Sequence, residues 1–444
     1  MNTHPSLSFT DATHAEPSPS VLSPEDAWCN NLAAAVCSIK DPRSGCVHHL
    51  GDILFCALCA EASGANGFTD IAEFTRTKID WLRQYVKLQN GCPSHDTFRY
   101  VFMLLQPEAM HQVLSKFLGV SSERLAGEQV AMDGKTLRGS RRPSLKQNAL
   151  HVLRAYATDS SVCLGYEPCQ QKSNEITTLP QLLRKLNLRG SMVTMDAMGT
   201  QREIVKQITQ QGADYLVALK GNQAGSLEAV EAQGTLLKEA LWVKEPTEQP
   251  MAMQPCHTLV TGTQALHRLT ANELEQRIQA ADKELQRYER HSESALRHGR
   301  YEQRDIFVLT NLDWWPKSWK WAGLKAVILV RRRTLRTESS TGNPSEEWFA
   351  YLCSRTANAE QYAKWILRHW EVENCCHYVL DVTFGEDHCQ VRDHQTALNL
   401  SILRDMATSL LKAAPCKLSI AARRKKAAWD DSFRSTLIYH NSHA

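Results

Sequence analysis

Apolar residues recur at helical spacing along the first part of the chain, up to about residue 118. Ile53 and Ala57, for example, fall on one face of a helix, and Ser94 is of the type that caps a later helix. The pattern predicts a helical N-terminal domain at residues 31–122. The segment before it, residues 1–30, is rich in Ser, Pro and Thr and is predicted to be a mobile arm.

The pattern changes near residue 128 to short apolar runs that alternate with helical segments. The predicted order over residues 123–222 is strand, strand, strand, helix, strand, helix, strand. The first three strands are close enough in sequence to form a meander, and the later ones should be parallel. This order is that of a ribonuclease H-like core, so we expect an α/β fold.

Residues 223–355 are predicted to form an α+β insertion, with two long charged helices followed by strands. Two further helices are predicted in residues 356–415, which return to the core. The last segment, residues 416–444, contains the run Arg-Arg-Lys-Lys and is predicted to be a basic tail that faces solvent or a nucleic acid.

Composition adds few constraints. Hydrophobic residues make up 43% of the 444 residues, enough for real cores, and the formal net charge is only +3. No apolar run approaches the length of a membrane span, so we expect no membrane partner. The 14 cysteines are scattered; Cys56 and Cys59 could be half of a zinc site, but buried free thiols in a reducing cytoplasm are the favoured interpretation.

Two aspartates occupy matching positions in the predicted core. Asp133 follows Val-Ala-Met and Asp196 follows Val-Thr-Met, each where a buried strand ends. Ligands gather at the carboxyl ends of strands in open α/β sheets, and two carboxylates there suit Mg²⁺. For either aspartate alone, capping of the next turn would be the simpler explanation. The repeated setting favours a metal site.

A third acid lies in a helical segment with two histidines. His369 and His377 are four residues before and after Glu373, so an α-helix would place all three on one face. A zinc site is one interpretation, although the spacing is not that of known zinc motifs. We favour Glu373 as the third carboxylate, with histidines that contact DNA or orient the acids. A half-buried helix face remains the alternative for the histidines.

Several motifs together resemble an insertion-sequence transposase of the ISAs type, the group that includes the H-repeat-associated proteins. The likeness covers the chain from about residue 39 to residue 406. Its motifs are AMDGKTLRGS at 131–140, KSNEI at 172–176, TMDAMGTQ at 194–201, HGRYEQR at 298–304 and, within 369–387, HW, EN, H and LDVTFGED.

The resemblance implies a catalytic DDE triad, which maps onto Asp133, Asp196 and Glu373. It implies a ribonuclease H-like core, two Mg²⁺ ions with Mn²⁺ as a substitute, DNA as partner, and a homodimer on DNA. The expected reaction is nicking of the element ends and joining of the 3′-OH to target DNA, in the bacterial cytoplasm. The chain lacks the Tyr-Arg-Glu-Lys signature of related transposases, so their DNA contacts are not transferred.

The DNA contacts are predicted from charge and from position near the acids. The candidates are Lys135, Arg138, Lys172, Lys220, Arg300, Arg304, His369, Asn374 and His377. His298, the run at 331–333 and Arg336 are further candidates, although alternate residues of a strand point to opposite faces. The tryptophans at 314, 315, 319 and 321 could stack on flipped bases, but a role in the core is favoured.

Alternative functions stay open from sequence. The chain could be a domesticated DNA-binding protein without activity, a host nuclease on the same fold or, less favoured, a zinc-binding module. Three intact acids favour an active enzyme, and the N-terminal segment and the insertion favour a transposase. The N-terminal helices are equally compatible with binding to DNA ends and with a structural or dimerising role.

Overall fold

The computed structural model describes residues 40–117, 127–169, 175–244, 270–297, 300–336 and 345–439. The predicted arm at 1–30 and two predicted DNA contacts, Lys172 and His298, lie outside these ranges. All statements below concern the described residues.

One mixed sheet of nine strands organises the described part of the chain. The strands are β1 (Gln129–Leu137), β2 (Leu150–Ala157), β3 (Val162–Cys169), β4 (Met192–Met195), β5 (Asp214–Leu219), β6 (Glu289–Arg297), β7 (Arg300–Leu309), β8 (Ala326–Arg336) and β9 (Ser345–Cys353). Their order across the sheet is β3-β2-β1-β4-β5-β9-β8-β7-β6. The predicted α/β class is therefore confirmed.

The first five strands follow the predicted topology. Strands β1, β2 and β3 form an antiparallel meander, while β4 is parallel to β1 and β5 is parallel to β4. The prediction that β1 ends at Asp133 is wrong. The strand continues to Leu137 because β2 remains paired with it as far as Leu150. Asp133 thus lies where β1 loses its β4 neighbour but keeps β2.

The strands predicted as an insertion continue the same sheet. Strand β9 pairs antiparallel with β5, from Leu216 opposite Cys353 to Leu219 opposite Ala350, and β8, β7 and β6 follow outward. The predicted insertion at 223–355 therefore adds an antiparallel half to the core sheet. Strand β6 was not predicted because its sequence, ERHSESALR, lacks an apolar alternation.

Helices cover the rest of the described chain. They are α1 (Leu50–Ala62), α2 (Phe68–Thr77), α3 (Ile79–Leu82), α4 (His95–Leu104), α5 (Pro107–Phe117), α6 (Glu175–Lys185), α7 (Arg202–Gln210), α8 (Ala224–Lys244), α9 (Ala271–Leu285), α10 (Ala359–His369), α11 (His394–Ala413), α12 (Ile420–Trp429) and α13 (Asp431–Tyr439). The predicted cap of α4 is confirmed, since Ser94 Oγ accepts from the Thr97 amide at 3.2 Å. No helix in the described ranges is both long and apolar enough to cross a membrane.

Side chains that alternate in direction along a strand pack into separate core layers on the two faces of the sheet. Val130 and Met132 of β1 face a core shared with α6, α7 and α8. Ala131, between them, faces the opposite side and packs with Val372. Successive side chains of a strand point to opposite faces of the sheet. A strand that is covered by helices on both faces therefore contributes to two core layers.

The N-terminal helices share one core with the end of the chain. Buried residues of α1 to α5 pack with those of α11, α12 and α13. Residues 31–122 and 416–444 were predicted as separate units. In the structure, the described parts of both enclose α11, which also contacts β3.

The prediction that the basic run faces solvent or a nucleic acid is wrong for Arg424. Arg424 is buried on α12, where its guanidinium donates to the carbonyls of Glu61 (2.9 Å) and Thr383 (2.6 Å). The fully buried Glu61 carboxylate lies between this guanidinium and that of Arg404, at 3.5 and 3.7 Å. The reason is that a buried carboxylate needs neutralisation, and the C-terminal helix supplies part of it.

We expect Arg424→Met to lower the free energy of unfolding by about 3–5 kcal/mol, because it leaves Glu61 short of a buried partner. The matched control is Lys425→Met, since the Lys425 side chain is exposed on the same helix. That variant should change stability by less than about 0.5 kcal/mol. Urea unfolding followed by circular dichroism measures both, and equal effects would show that Arg424 has no special role.

Candidate active site

The two aspartates lie side by side at one edge of the sheet. In the parallel pairing of β1 and β4, Met132 is opposite Met195, and each aspartate is the next residue. Neighbouring strands are about 4.8 Å apart, so the backbones of Asp133 and Asp196 lie close together. The prediction that these residues lie on neighbouring strands is confirmed, although only Asp196 follows the end of its strand.

Glu373 reaches the same place from a helical segment that widens at this point. The predicted helix from residue 360 to 379 is α-helical only to His369. Val372–His377 and Val379–Thr383 are π-helical turns. Such turns are rare and frequently occur at functional sites. Val372 is buried in the core cluster of Ala131 on β1, which holds the neighbouring Glu373 beside the strand ends.

The pKa of Asp133 depends on its burial and on the acids around it. Burial raises the pKa of Asp133 to about 7, against the opposing effect of the Gly134 amide. The negative charges of Glu373, Asp196 and Glu175 raise it further. Asp133 is thus first of all a carboxylate withdrawn from water, with other acids as its main charged neighbours.

Asp196 also closes the turn that follows its strand. Its Oδ1 accepts from the amides of Met198 (2.9 Å) and Gly199 (3.3 Å). The side chain is nevertheless exposed at the strand end. The turn-capping role considered from sequence is therefore real, and it fixes the carboxylate beside Asp133 instead of competing with that placement.

The two histidines face the acids and the sheet. His369 Nδ1 lies 3.1 Å from Thr194 Oγ1 on β4, and burial lowers the pKa of His369 to about 4 despite Asp196 nearby. His377 Nδ1 lies 3.4 Å from Asp133 Oδ2. Burial, together with Arg154 and Lys135, holds its pKa well below the usual value. Both rings are thus neutral at pH 7, so they do not offer DNA phosphates a positive charge.

A fourth carboxylate, not predicted from sequence as a site residue, lies behind Asp133. Glu175 Oε1 is 2.6 Å from Nε2 of the buried His151, whose Nδ1 is 2.9 Å from Thr136 Oγ1. A Cβ on Gly134 would lie 2.3 Å from that His151 nitrogen, so only glycine fits after Asp133. No spacing rule links Glu175 to the strand ends; its membership of the KSNEI motif was the one available signal.

Lys135, a predicted DNA contact, is buried instead of exposed. The residue is only 7% exposed, and its ammonium lies 2.7 Å from Asp381, 2.9 Å from Glu386 and 3.5 Å from Asp387. Although burial acts to raise it, Lys135 and Arg154 hold the pKa of Glu386 at about 2. The lysine therefore ties β1 to the chain that follows the π-helical turns.

The other predicted DNA contacts fall into two groups. Arg138, Lys220 and Asn374 have exposed side chains on segments next to the acids. Arg300 and Arg304 lie on β7, four strand spacings or about 19 Å from β4. Arg304 is half-buried and bonds Glu302 at 2.8 Å. DNA contact remains a prediction for all five.

The arginine run on β8 and the tryptophans serve the fold. Arg331 bonds the buried Asp305 at 2.8 Å, and Arg332 bonds Glu347 across to β9 at 2.6 Å. Trp315 and Trp321 are buried, and Trp321 Nε1 donates to Ser226 Oγ at 3.1 Å. The favoured interpretation of the tryptophans as core residues is confirmed for these two.

The candidate donors for a metal ion are the carboxylate oxygens of the acids. Across the described ranges, no group of three or more His, Cys, Asp or Glu side chains is placed so that it could hold a metal ion. Cys56 and Cys59 are buried free thiols, and His369 is directed at Thr194. Carboxylate oxygens such as those of the acids are ligands that hard divalent cations prefer.

Asp133→Asn should stabilise the metal-free protein at high pH. The pKa of Asp133 is raised from 3.8 to about 7 by folding, so ionisation opposes folding. This penalty is absent below about pH 4, grows as pH rises and is complete above about pH 7. We expect a gain of about 1–2 kcal/mol at pH 8 and roughly half of that at pH 5.5.

Urea unfolding in EDTA at the two pH values measures this gain. Asp313→Asn, a substitution of an exposed loop aspartate, is the control and should give no such dependence. A loss of stability in Asp133→Asn at pH 8 would contradict a folding penalty from the buried, ionised Asp133 carboxylate.

Comparison with known proteins identifies the family of this chain. The DDE_Tnp_1-associated model matches residues 33–118, and the transposase DDE domain model matches residues 125–410. "H repeat-associated putative transposase YhhI" of Escherichia coli K12 is 32% identical over 394 residues, which are 88% of this chain and 92% of that protein.

Two further relatives agree. "Putative transposase YncI" of Escherichia coli O157:H7 is 29% identical over 86% of this chain and 87% of its own length. An uncharacterised protein from Xanthobacter autotrophicus is 35% identical over 72% of this chain and 93% of its own length. Together with the acids at the strand ends, these matches show that the chain belongs to the DDE transposase family, in its H-repeat-associated group.

Proposed function

We propose that this chain nicks the ends of an insertion sequence and joins the freed 3′-OH to target DNA. The proposal is supported mainly by the pairing of β1 with β4, which places Asp133 next to Asp196, and by the charge of Glu373 on the π-helical turns, which acts on Asp133. The strand order β3-β2-β1-β4-β5 supports a ribonuclease H-like core for this site.

Asp133, Asp196 and Glu373 are the residues that would hold divalent cations, proposed as two Mg²⁺ with Mn²⁺ as a substitute. Such a pair supplies activation of the nucleophile and stabilisation of the leaving oxygen. The protein's part is placement. The neutral His377 sits against one face of the Asp133 carboxylate, and the Asp196 carboxylate is fixed by its turn amides.

DNA is the proposed partner, held by phosphates around the acids. Exposed cations on the segments that follow these strands include Arg138, after β1, and Lys220, after β5. Exposed Lys and Arg side chains provide sequence-independent phosphate contacts, and the exposed amide of Asn374 adds a polar contact. Because two element ends must be handled together, we propose a homodimer on DNA.

The triad is tested by cleavage of DNA that carries the native element ends, in the presence of Mg²⁺. Asp133→Asn, Asp196→Asn and Glu373→Gln should each lower the rate by roughly three orders of magnitude or more. Glu371→Gln, two residues from Glu373 on the same segment, is the matched control and should keep the wild-type rate.

The outcome also separates the alternative functions. Cleavage by wild type at the element boundary supports a transposase, whereas structure-dependent cutting elsewhere supports a host nuclease. Binding without cutting supports a domesticated protein. Wild-type rates in the three acid variants would rule out the triad.

Lys135→Met should lower cleavage by about 10- to 100-fold, since loss of a residue that orients metal-binding groups typically has an effect of this size. DNA affinity should change little, because the wild-type ammonium is buried against carboxylates. Lys135→Arg should recover part of the rate. A parallel loss of DNA affinity would restore the original prediction of a phosphate contact.

A further inference from the structure

An exposed stripe that is rich in aromatic residues runs along the segment carrying Glu373. The exposed positions from residue 370 to residue 382 are Trp370, Glu373, Asn374, Tyr378 and Val382. Trp370, Tyr378 and Val382 keep 47%, 61% and 63% of their surface in contact with solvent. We call these five residues the Glu373 stripe.

The π-helical turns keep this stripe in register. An α-helix has 3.6 residues per turn, whereas π-helical turns close i to i+5 hydrogen bonds and bring residues four to five apart into line. Glu373, Tyr378 and Val382 are spaced by five and four residues. The inward positions Val372, Cys376 and Leu380 are buried, which confirms that the stripe faces outward.

The stripe has the chemistry of a surface that stacks on bases. Its only charge is that of Glu373, so phosphate binding by the stripe itself is excluded. Large aromatic side chains exposed together are unusual on a soluble surface and mark binding sites. Arg138 and Lys220 are exposed cations on neighbouring segments, and they can bind the phosphates of the DNA backbone.

The position of the Glu373 stripe beside the acids indicates which ligand binds there. A DNA strand whose phosphodiester reaches Glu373 comes within reach of the exposed residues on either side of it. Trp370 precedes Glu373 by three residues and Tyr378 follows it by five, so the rings flank the carboxylate along the segment. Unpaired bases next to the reacting phosphate would meet these rings.

We propose that Trp370 and Tyr378 stack on unpaired bases of the DNA strand at the site of cleavage. The proposal rests on the proposed function, because it places DNA at Glu373. Of the four tryptophans considered for this role from sequence, those at 315 and 321 are buried and those at 314 and 319 are half-buried. Base–aromatic stacking tolerates any sequence, so this contact would favour distorted DNA ends over particular bases.

The test measures binding in EDTA, which separates it from cleavage. The probes are a short fluorescent duplex with an unpaired stretch in its centre and the same duplex fully paired. Trp370→Ala and Tyr378→Ala should each raise Kd for the unpaired probe about 10-fold, within the range for loss of one stacked base. The fully paired probe should lose much less affinity.

Two controls make the test specific. Trp429→Ala removes a tryptophan that is even more exposed, 77% accessible on α12, and should leave both Kd values unchanged. Trp370→Phe and Tyr378→Phe keep a ring and should retain most of the affinity. The wild-type protein could prefer the unpaired probe and yet fail to cleave DNA in Mg²⁺. That result would count against the proposed function while leaving the stacking role intact.

Three results would overturn the stacking role. The first is a wild-type Kd in both alanine variants, and the second is an equal loss of affinity for the two probes. The third is a change from dimer to monomer in sedimentation of Trp370→Ala, which would assign the Glu373 stripe to contact between two copies of the chain.

Discussion

The buried carboxylate of Glu386 is the contact on which the arrangement of this protein depends. Lys135 approaches it at 2.9 Å from β1, Arg154 at 3.7 Å from β2, and Ser401 donates to it at 2.5 Å from α11. A fully buried acid remains charged only when cations and donors surround it. Because these partners come from the sheet and from α11, the ion cluster forms only after the two have packed. It therefore couples assembly of the fold to the position of the segment that carries Glu373.

A second cluster has the opposite charge balance. Asp133, Asp196 and Glu373 converge with Glu175 behind them, and the nearest histidines are neutral because burial lowers their pKa values. Among the described residues, Lys135 and Arg154 lie beside the structural acid Glu386, whereas the charges that act most on Asp133 are those of other carboxylates. Lys172, in the same motif as Glu175, lies outside the described residues. The two clusters are only two residues apart on β1, so the same strand serves stability and chemistry.

The boundaries between segments also follow from packing. The residues of the predicted insertion extend the central sheet through β9, and the helices at the two ends of the described chain close over α11. Glu61, Arg404 and Arg424 join these ends by charge. The unit that positions the acids is therefore larger than the five-stranded core. A change at either end of the described chain can reach the active site through α11, since that helix contacts the N-terminal helices and also supplies partners to Arg154.

Local chemistry determined much of this protein in advance. The apolar runs before Asp133 and Asp196 predicted their strands and their adjacency, and Ser94 predicted the start of α4, because such signals act over a few residues. Tertiary structure decided the rest. From sequence, Lys135 is predicted to contact DNA. In the fold it is buried and pairs with Glu386, which is 251 residues away along the chain. Likewise, Arg424 belongs to a basic run but is buried because it pairs with Glu61, which is distant in sequence. The polar β6 exists because β7 offers it an edge, and no local pattern encodes that. Burial and long-range charge pairing depend on the whole fold, so they decide roles that residue type alone leaves open.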